Sequence, residues 1–137
     1  MLTGEEKQSL DLHNAERTAN DLSPFCVDSV LTIAARAHSN EMLTKNYFSH
    51  DSYNGESFAV RLKSFGYTPF RALAENIAWG SGSYGSPDAI FTSWMNSAGH
   101  EANILNGSLQ QIGIAVAYAT FQGYNGAKLY TADFGTR

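Results

Sequence analysis

Three short stretches carry side chains able to do chemistry: Tyr47-Phe48-Ser49-His50-Asp51, Ala74-Glu75-Asn76-Ile77-Ala78-Trp79-Gly80, and Ser97-Ala98-Gly99-His100-Glu101-Ala102-Asn103-Ile104-Leu105. Each sets a titratable group at the edge of a regular element. Histidine is the commonest metal ligand and shuttles protons near neutral pH, and a nearby carboxylate can fix its tautomer or complete a coordination sphere. Whether His50, Glu75 and His100 converge is not decided by the residues alone. Glu75 shares its strand face with Leu73, Ile77 and Trp79, where an ionised carboxylate is costly unless paired. Either a partner such as a histidine meets it, or the strand is an edge and Glu75 points into water.

Other chemistries find less support. His100-Glu101-Ala102-Asn103-Ile104 starts like a zincin motif, but the position four residues after His100 is Ile104, so the second ligand on the helical face is missing and Glu101 reads as a surface charge. No Gly-x-Ser-x-Gly elbow occurs, and Gly80-Ser81-Gly82-Ser83 reads as a flexible loop. Cys26 is the single cysteine, which excludes an intrachain disulfide and any multi-cysteine metal site. It reads as a structural thiol rather than a nucleophile. His38 lies in an apolar helical stripe and reads as a hydrogen-bonded core residue.

The elements that must position these groups are marked by caps and periodicity. Thr3 with Glu6 forms a capping-box signature ahead of Leu12, Ala15, Ala19 and Leu22, predicting a helix over Gly4 to Thr18 whose polar stripe of His13, Asn14 and Arg17 bonds to neighbouring loops. Asp28 caps a second helix with Leu31, Ala34, Ala35, His38 and Met42 on one stripe, ending near Lys45 and Asn46. A third helix over Ser57 to Phe65 carries Phe58, Arg61, Leu62 and Phe65 on one face, with Gly66 at its C′ position. Gly80 to Gly85 reads as a loop; Ser86 caps a fourth helix with Pro87 at its first position, and Ser97 caps a short one that carries His100 and stops at Asn106-Gly107. Leu73 to Trp79 alternates as a strand. Ile112 to Phe121 and Lys128 to Phe134 form a hairpin around a turn at Tyr124-Asn125-Gly126.

Helices mostly first and a hairpin last, without βαβ alternation, predict an α+β fold with an antiparallel sheet flanked by helices. The 137 residues suit one domain, with no repeat or linker, and a 43% hydrophobic, 16% charged composition is that of a chain that folds alone. A net charge of −4 with dispersed Lys and Arg leaves no footprint for nucleic acid or anionic lipid surfaces. No apolar run reaches the ~20 residues of a membrane helix. No charged-then-apolar leader opens the chain, so export would require a signal removed beforehand.

In this order and spacing the segments resemble the CAP superfamily of cysteine-rich secretory, antigen 5 and pathogenesis-related 1 proteins. The resemblance rests on Asn14 and Arg17, Phe48-Ser49-His50, Ala74-Glu75-Asn76-Ile77 with Gly80, Trp94 ahead of Gly99-His100, Asn103-Ile104-Leu105, Ile112-Gly113-Ile114 and the closing Asp133-Phe134-Gly135. It spans residues 1–137 as one domain, and the disulfide-free pattern resembles the bacterial branch. It implies a three-layer α-β-α sandwich with a central antiparallel sheet and a cleft lined by two histidines and two acids. It implies an extracellular or cell-envelope location as well. His50, His100 and Glu75 match three members of that tetrad; the position of the second acid falls on Ser97, which cannot carry the charge. Asn76 and Asn103 join Ser97 in lining the cleft.

The leading expectation is a secreted binding or interaction module that holds zinc or another divalent metal through His50, His100 and Glu75, with no organic cofactor. Its partner would be a protein, a cell-wall component or a lipid. A metal-assisted hydrolase with Glu75 as general base is the alternative, and a lipid or sterol carrier using Phe65, Tyr67, Phe70 and Tyr84 is a further one.

Overall fold

Side-chain caps set where the helices begin in the computed structural model, which describes residues 1–137. Thr3 and Glu6 form the complete capping box of α1 (Gly4–Ala19), Asp28 accepts from the Leu31 amide at the head of α2 (Ser29–Lys45), Ser57 caps α3 (Phe58–Ser64), and Ser86, with Pro87 behind it, caps α4 (Pro87–Met95). The left-handed Asn46 ends α2. Ser97 stands at the head of α5 (Ala98–Ile104), but its hydroxyl makes no capping bond.

The strands are β1 (Cys26–Val27), β2 (Ala72–Ser81), β3 (Gln111–Phe121) and β4 (Tyr124–Thr136), in the spatial order β1-β3-β4-β2. β2 and β3 both run antiparallel to β4. The expectation of a purely antiparallel sheet is corrected at one edge, where β1 runs parallel to β3. Two residues are too few to show a periodicity. The hairpin turn also lies earlier than expected: Gln122 and Gly123 both adopt positive φ between Phe121 and Tyr124. Gly126, expected at the turn, sits inside β4 with positive φ near the register shift between Ala119 and Phe121. The segment after β2 is a 3-10 turn over Gly82–Gly85 rather than an open loop.

Three layers result. On one face of the sheet Leu10, Phe91, Trp94 and Ile104 pack on Ile112, Ile114, Tyr130 and Phe134. On the other face the apolar residues form two separate clusters, one of Met42 with Ile77, Phe121 and Leu129, and one of Leu31 and Ala34 with Leu62 and Tyr67. Gly113 lets α2 lie directly on β3, since a side chain there would collide with the Leu31–Thr32 backbone. No helix is long and apolar enough to cross a membrane.

Candidate functional site

β2 is an edge strand, so Glu75 could have faced water; instead it is only 5% exposed. Strand alternation puts it on the α2/α3 face, in the gap between the two apolar clusters, with Asp133 of β4 as its Cα partner. Arg61 reaches it from α3 as a buried ion pair to Oε2. Ser57 fixes the start of α3, and four residues on from that cap the Arg61 guanidinium points into the gap rather than into solvent.

The same guanidinium holds the segment carrying His50. Arg61 Nη1 donates to the His50 carbonyl (3.0 Å) and to Nδ1 of His38 (3.1 Å), while His38 Nε2 donates to the Ser49 carbonyl (2.7 Å). A carbonyl and a guanidinium on its two nitrogens fix the His38 tautomer. His38 is thus the hydrogen-bonded core residue expected, and it clamps the backbone next to the site. His50 Nδ1 lies 2.9 Å from Glu75 Oε1; the carboxylate only accepts, so the proton is on Nδ1 and Nε2 keeps its lone pair. The ring is half exposed.

His100 arrives from the opposite face of the sheet, on α5. Its Nδ1 is 2.8 Å from Ser97 Oγ, which explains the missing capping bond. Asn76 donates to the His100 carbonyl (3.1 Å), and Asn103 donates to Asn76 Oδ1 (2.8 Å) and, at 3.5 Å, to the Glu75 carbonyl. The edge strand therefore runs between the two histidine-bearing segments. Along it lies an open hollow of about 380 Å³ lined by His50, Phe58, Leu73, Ala74, Glu75 and Asn103.

Charge in the site is balanced below the surface. Asp133 is fully buried, and neither carboxyl oxygen meets an N–H or hydroxyl donor. Burial pushes its carboxyl well above the usual range, and the adjacent Glu75 charge pushes it further. Glu75 is also raised, by burial first, with Asp133 and Arg61 pulling it back. Two facing buried carboxyls beside one guanidinium disfavour a second negative charge, Asp133 the more strongly of the two. Both histidines are held below their ordinary range, although only His50 lines the hollow: His50 by burial and Arg61, His100 by burial and His50. They are neutral at pH 7.

Of the expected site residues, Ser97, Asn76 and Asn103 all bond within this assembly. A second acid does lie beside Glu75: Asp133, contributed by the sheet and fully buried. Glu75 itself is engaged at both oxygens, and no group of three His, Cys, Asp or Glu side chains converges in metal-holding geometry. Those engagements also leave Glu75 poorly placed as a general base. Of the aromatics considered for a lipid groove, Tyr67 is fully buried with its hydroxyl on Gln111, Phe65 lines a small polar hollow with Glu41, Glu56 and Arg61, and Phe70 and Tyr84 line no cavity. Cys26 is an exposed free thiol on β1, the far edge of the sheet, rather than the buried thiol expected, because the two-residue strand is open to solvent.

Arg61 and Asp133 are the residues that sequence reasoning missed. The available signal was parity: Arg61 is a charge on a helix face shared with Phe58 and Leu62, and Asp133 lies with Thr131 on one side of a strand whose other side, Tyr130, Ala132 and Phe134, is apolar.

The family model described as CAP, cysteine-rich secretory protein family, matches residues 10–134. The chain is 41% identical over 109 residues to the Bacillus subtilis protein YkwD, covering 80% of this chain and 41% of that one. It is 36% identical over 114 residues to the Bacillus subtilis membrane protein YlbC, covering 83% of this chain and 32% of the other, so it spans well under half of either relative. An extracellular protein of Bacillus anthracis containing an SCP domain superposes with a TM-score of 0.81 at 29% identity, over 98% of this chain and 41% of that one. An outer surface protein of Borrelia burgdorferi shares the fold at TM-score 0.83 and 19% identity, over 100% and 96% of the two chains. With the match running almost from end to end, the chain belongs to the cysteine-rich secretory protein (CAP) family.

Proposed function

We propose that this CAP domain is a binding or interaction module of the extracellular space or cell envelope, whose cleft takes a divalent metal ion weakly on Nε2 of His50 and of His100. One observation carries the reading. Both imidazoles have Nδ1 engaged, by Glu75 and by Ser97, as metal-ligating histidines do, and both are neutral at pH 7. Two imidazole nitrogens suit zinc or a similar ion with water in the remaining positions. Glu75 acts through the His50 ring and through water rather than as a third direct ligand. Bound there, the ion would supply positive charge to a carbonyl or carboxylate of a partner. The location follows the description of the Bacillus anthracis relative as extracellular. The partner is a protein, a cell-wall component or a lipid.

The test is calorimetric titration of zinc into the wild type, His50→Ala and His100→Ala at pH 7. Each substitution removes half of the donor set, and a loss of roughly tenfold or more is expected. Equal affinities in all three proteins would sink the reading.

A further inference from the structure

We infer that the open edge of β2 between Leu73 and Glu75 is a docking site for an extended polypeptide, which adds to the sheet as a short extra strand beside His50. This rests on the reading of the domain as a binding module and names the class of partner.

The direction of the backbone groups follows from the ladder. The carbonyls of Gln110 and Ile112 accept from Cys26 and Asp28 beside β1, so alternate residues of β3 face β4, and the register carries that alternation across the sheet. Ala74 and Asn76 then face β4, while Leu73, Glu75 and Ile77 turn their N–H and C=O groups outward. Further along, this edge is already closed. Trp94 Nε1 donates to the Ile77 carbonyl (3.2 Å), Asn103 covers the Glu75 carbonyl, and Gly80 packs against the backbone of the 3-10 turn. Both backbone groups of Leu73 and the N–H of Glu75 bond to no side chain or loop. At that place the edge opens into the hollow described above.

Unpaired donors and acceptors at strand spacing call for a partner with the same repeat. A polypeptide has it; a lipid chain has neither group, and a saccharide lacks the spacing. A peptide strand here would set alternate side chains against Phe58 and Leu73 on one side of β2 and against Asn103 on the other. Because Arg61 neutralises Glu75, the hollow selects an uncharged segment.

The test is amide hydrogen exchange by NMR, with a blocked hexapeptide of alternating valine and threonine at millimolar concentration as the probe. In the free protein the Leu73 and Glu75 amides should exchange fast and those of Ala74 and Asn76 slowly. The peptide should slow the first two roughly tenfold. A copy of the peptide N-methylated at alternate residues should not. Leu73→Pro, which removes an outward N–H and no ladder bond, should fold as the wild type and lose the peptide; the N-methylated peptide serves if that variant does not fold. Leu73 and Glu75 amides already protected in the free protein, or unchanged by peptide, would overturn the proposal. So would protection that grows with protein concentration alone, which would mean pairing between two copies. Repeating the measurement with chelator separates this outcome from the zinc titration, since peptide protection is expected with or without metal.

Discussion

The two faces of one sheet are filled in different ways. Tyr130, Ala132 and Phe134 of β4 look onto a single large apolar cluster under α1 and α4, whereas Thr131 and Asp133 of the same strand look onto a polar band under α2 and α3. That band contains the Ser39–Thr131 hydroxyl pair (2.7 Å), then Asp133, Glu75, Arg61 and His38, and it divides the apolar packing on its face into two clusters. Buried titratable groups occur on the packed side too, Glu6, His13 and Arg17 of α1, but Glu6 and Arg17 bond to backbone and no carboxyl–guanidinium–imidazole band divides the apolar packing there. His13 sits among Phe91, Trp94 and Phe134, its Nδ1 donating to Ser9 and its Nε2 without a partner. Continuous apolar packing gives one face its stability; the other gives up packing to hold a carboxylate, and through it an imidazole, in one orientation.

This contrast is broken most directly by a matched pair of substitutions. Phe134→Ala should cost about 3–5 kcal/mol in urea unfolding and leave zinc affinity unchanged. Arg61→Leu should cost a similar 3–5 kcal/mol, because it leaves a carboxylate buried without a counter-charge. Unlike the first, it should also lower zinc affinity, since it frees both Glu75 and the His50 segment. If the two variants affect zinc equally, the division of labour between the faces is wrong.

Acid should act on both faces, with opposing contributions. Burial lowers His13 and His38 from 6.5 to about 4. Between those values the unfolded chain takes up protons that the fold refuses, so stability falls as pH drops from 6.5 towards 4 and levels off below. The loss is about 3 kcal/mol per imidazole. The raised Glu75 and Asp133 carboxyls work the other way, because the fold keeps a proton there that the unfolded chain releases as pH rises. Urea unfolding across this range should show His13→Gln losing about 3 kcal/mol less than the wild type as pH falls from 6.5 to 4. Identical profiles for the two proteins would contradict the burial of the His13 ring.

The smallest effect sharpens the cleft alone. Ser97→Ala should change stability by less than about 0.5 kcal/mol, as its hydroxyl caps nothing, yet it removes the partner that orients His100 and should weaken zinc binding by roughly tenfold.

Much of the scaffold was legible because its signals are local. Thr3-Glu6, Asp28, Ser57 and Ser86 declare helix starts within four residues, and Asn46 declares an end. The turn at Gln122-Gly123 was missed because glutamine carries no preference for the left-handed region, whereas the Asn125-Gly126 pair does. For the site, the residues with familiar chemistry were found and those that act through them were not. His50, Glu75 and His100 stand out by type. Arg61 and Asp133 matter only because α3 crosses the gap in the core and β4 registers 133 against 75, relations between segments 14 and 58 residues from Glu75 that no local pattern encodes.

Arg17 carries a different lesson. From α1 its guanidinium donates to the carbonyls of Ser23, Ile104, Asn106 and Leu109, tying the first helix to the loop after it, to the end of α5 and to the approach to β3. Those crossings are joined by proton-sharing bonds from a group that stays charged at any physiological pH, and no sulfur bridge takes part. None of these cross-links is a disulfide, so reducing conditions remove none of them.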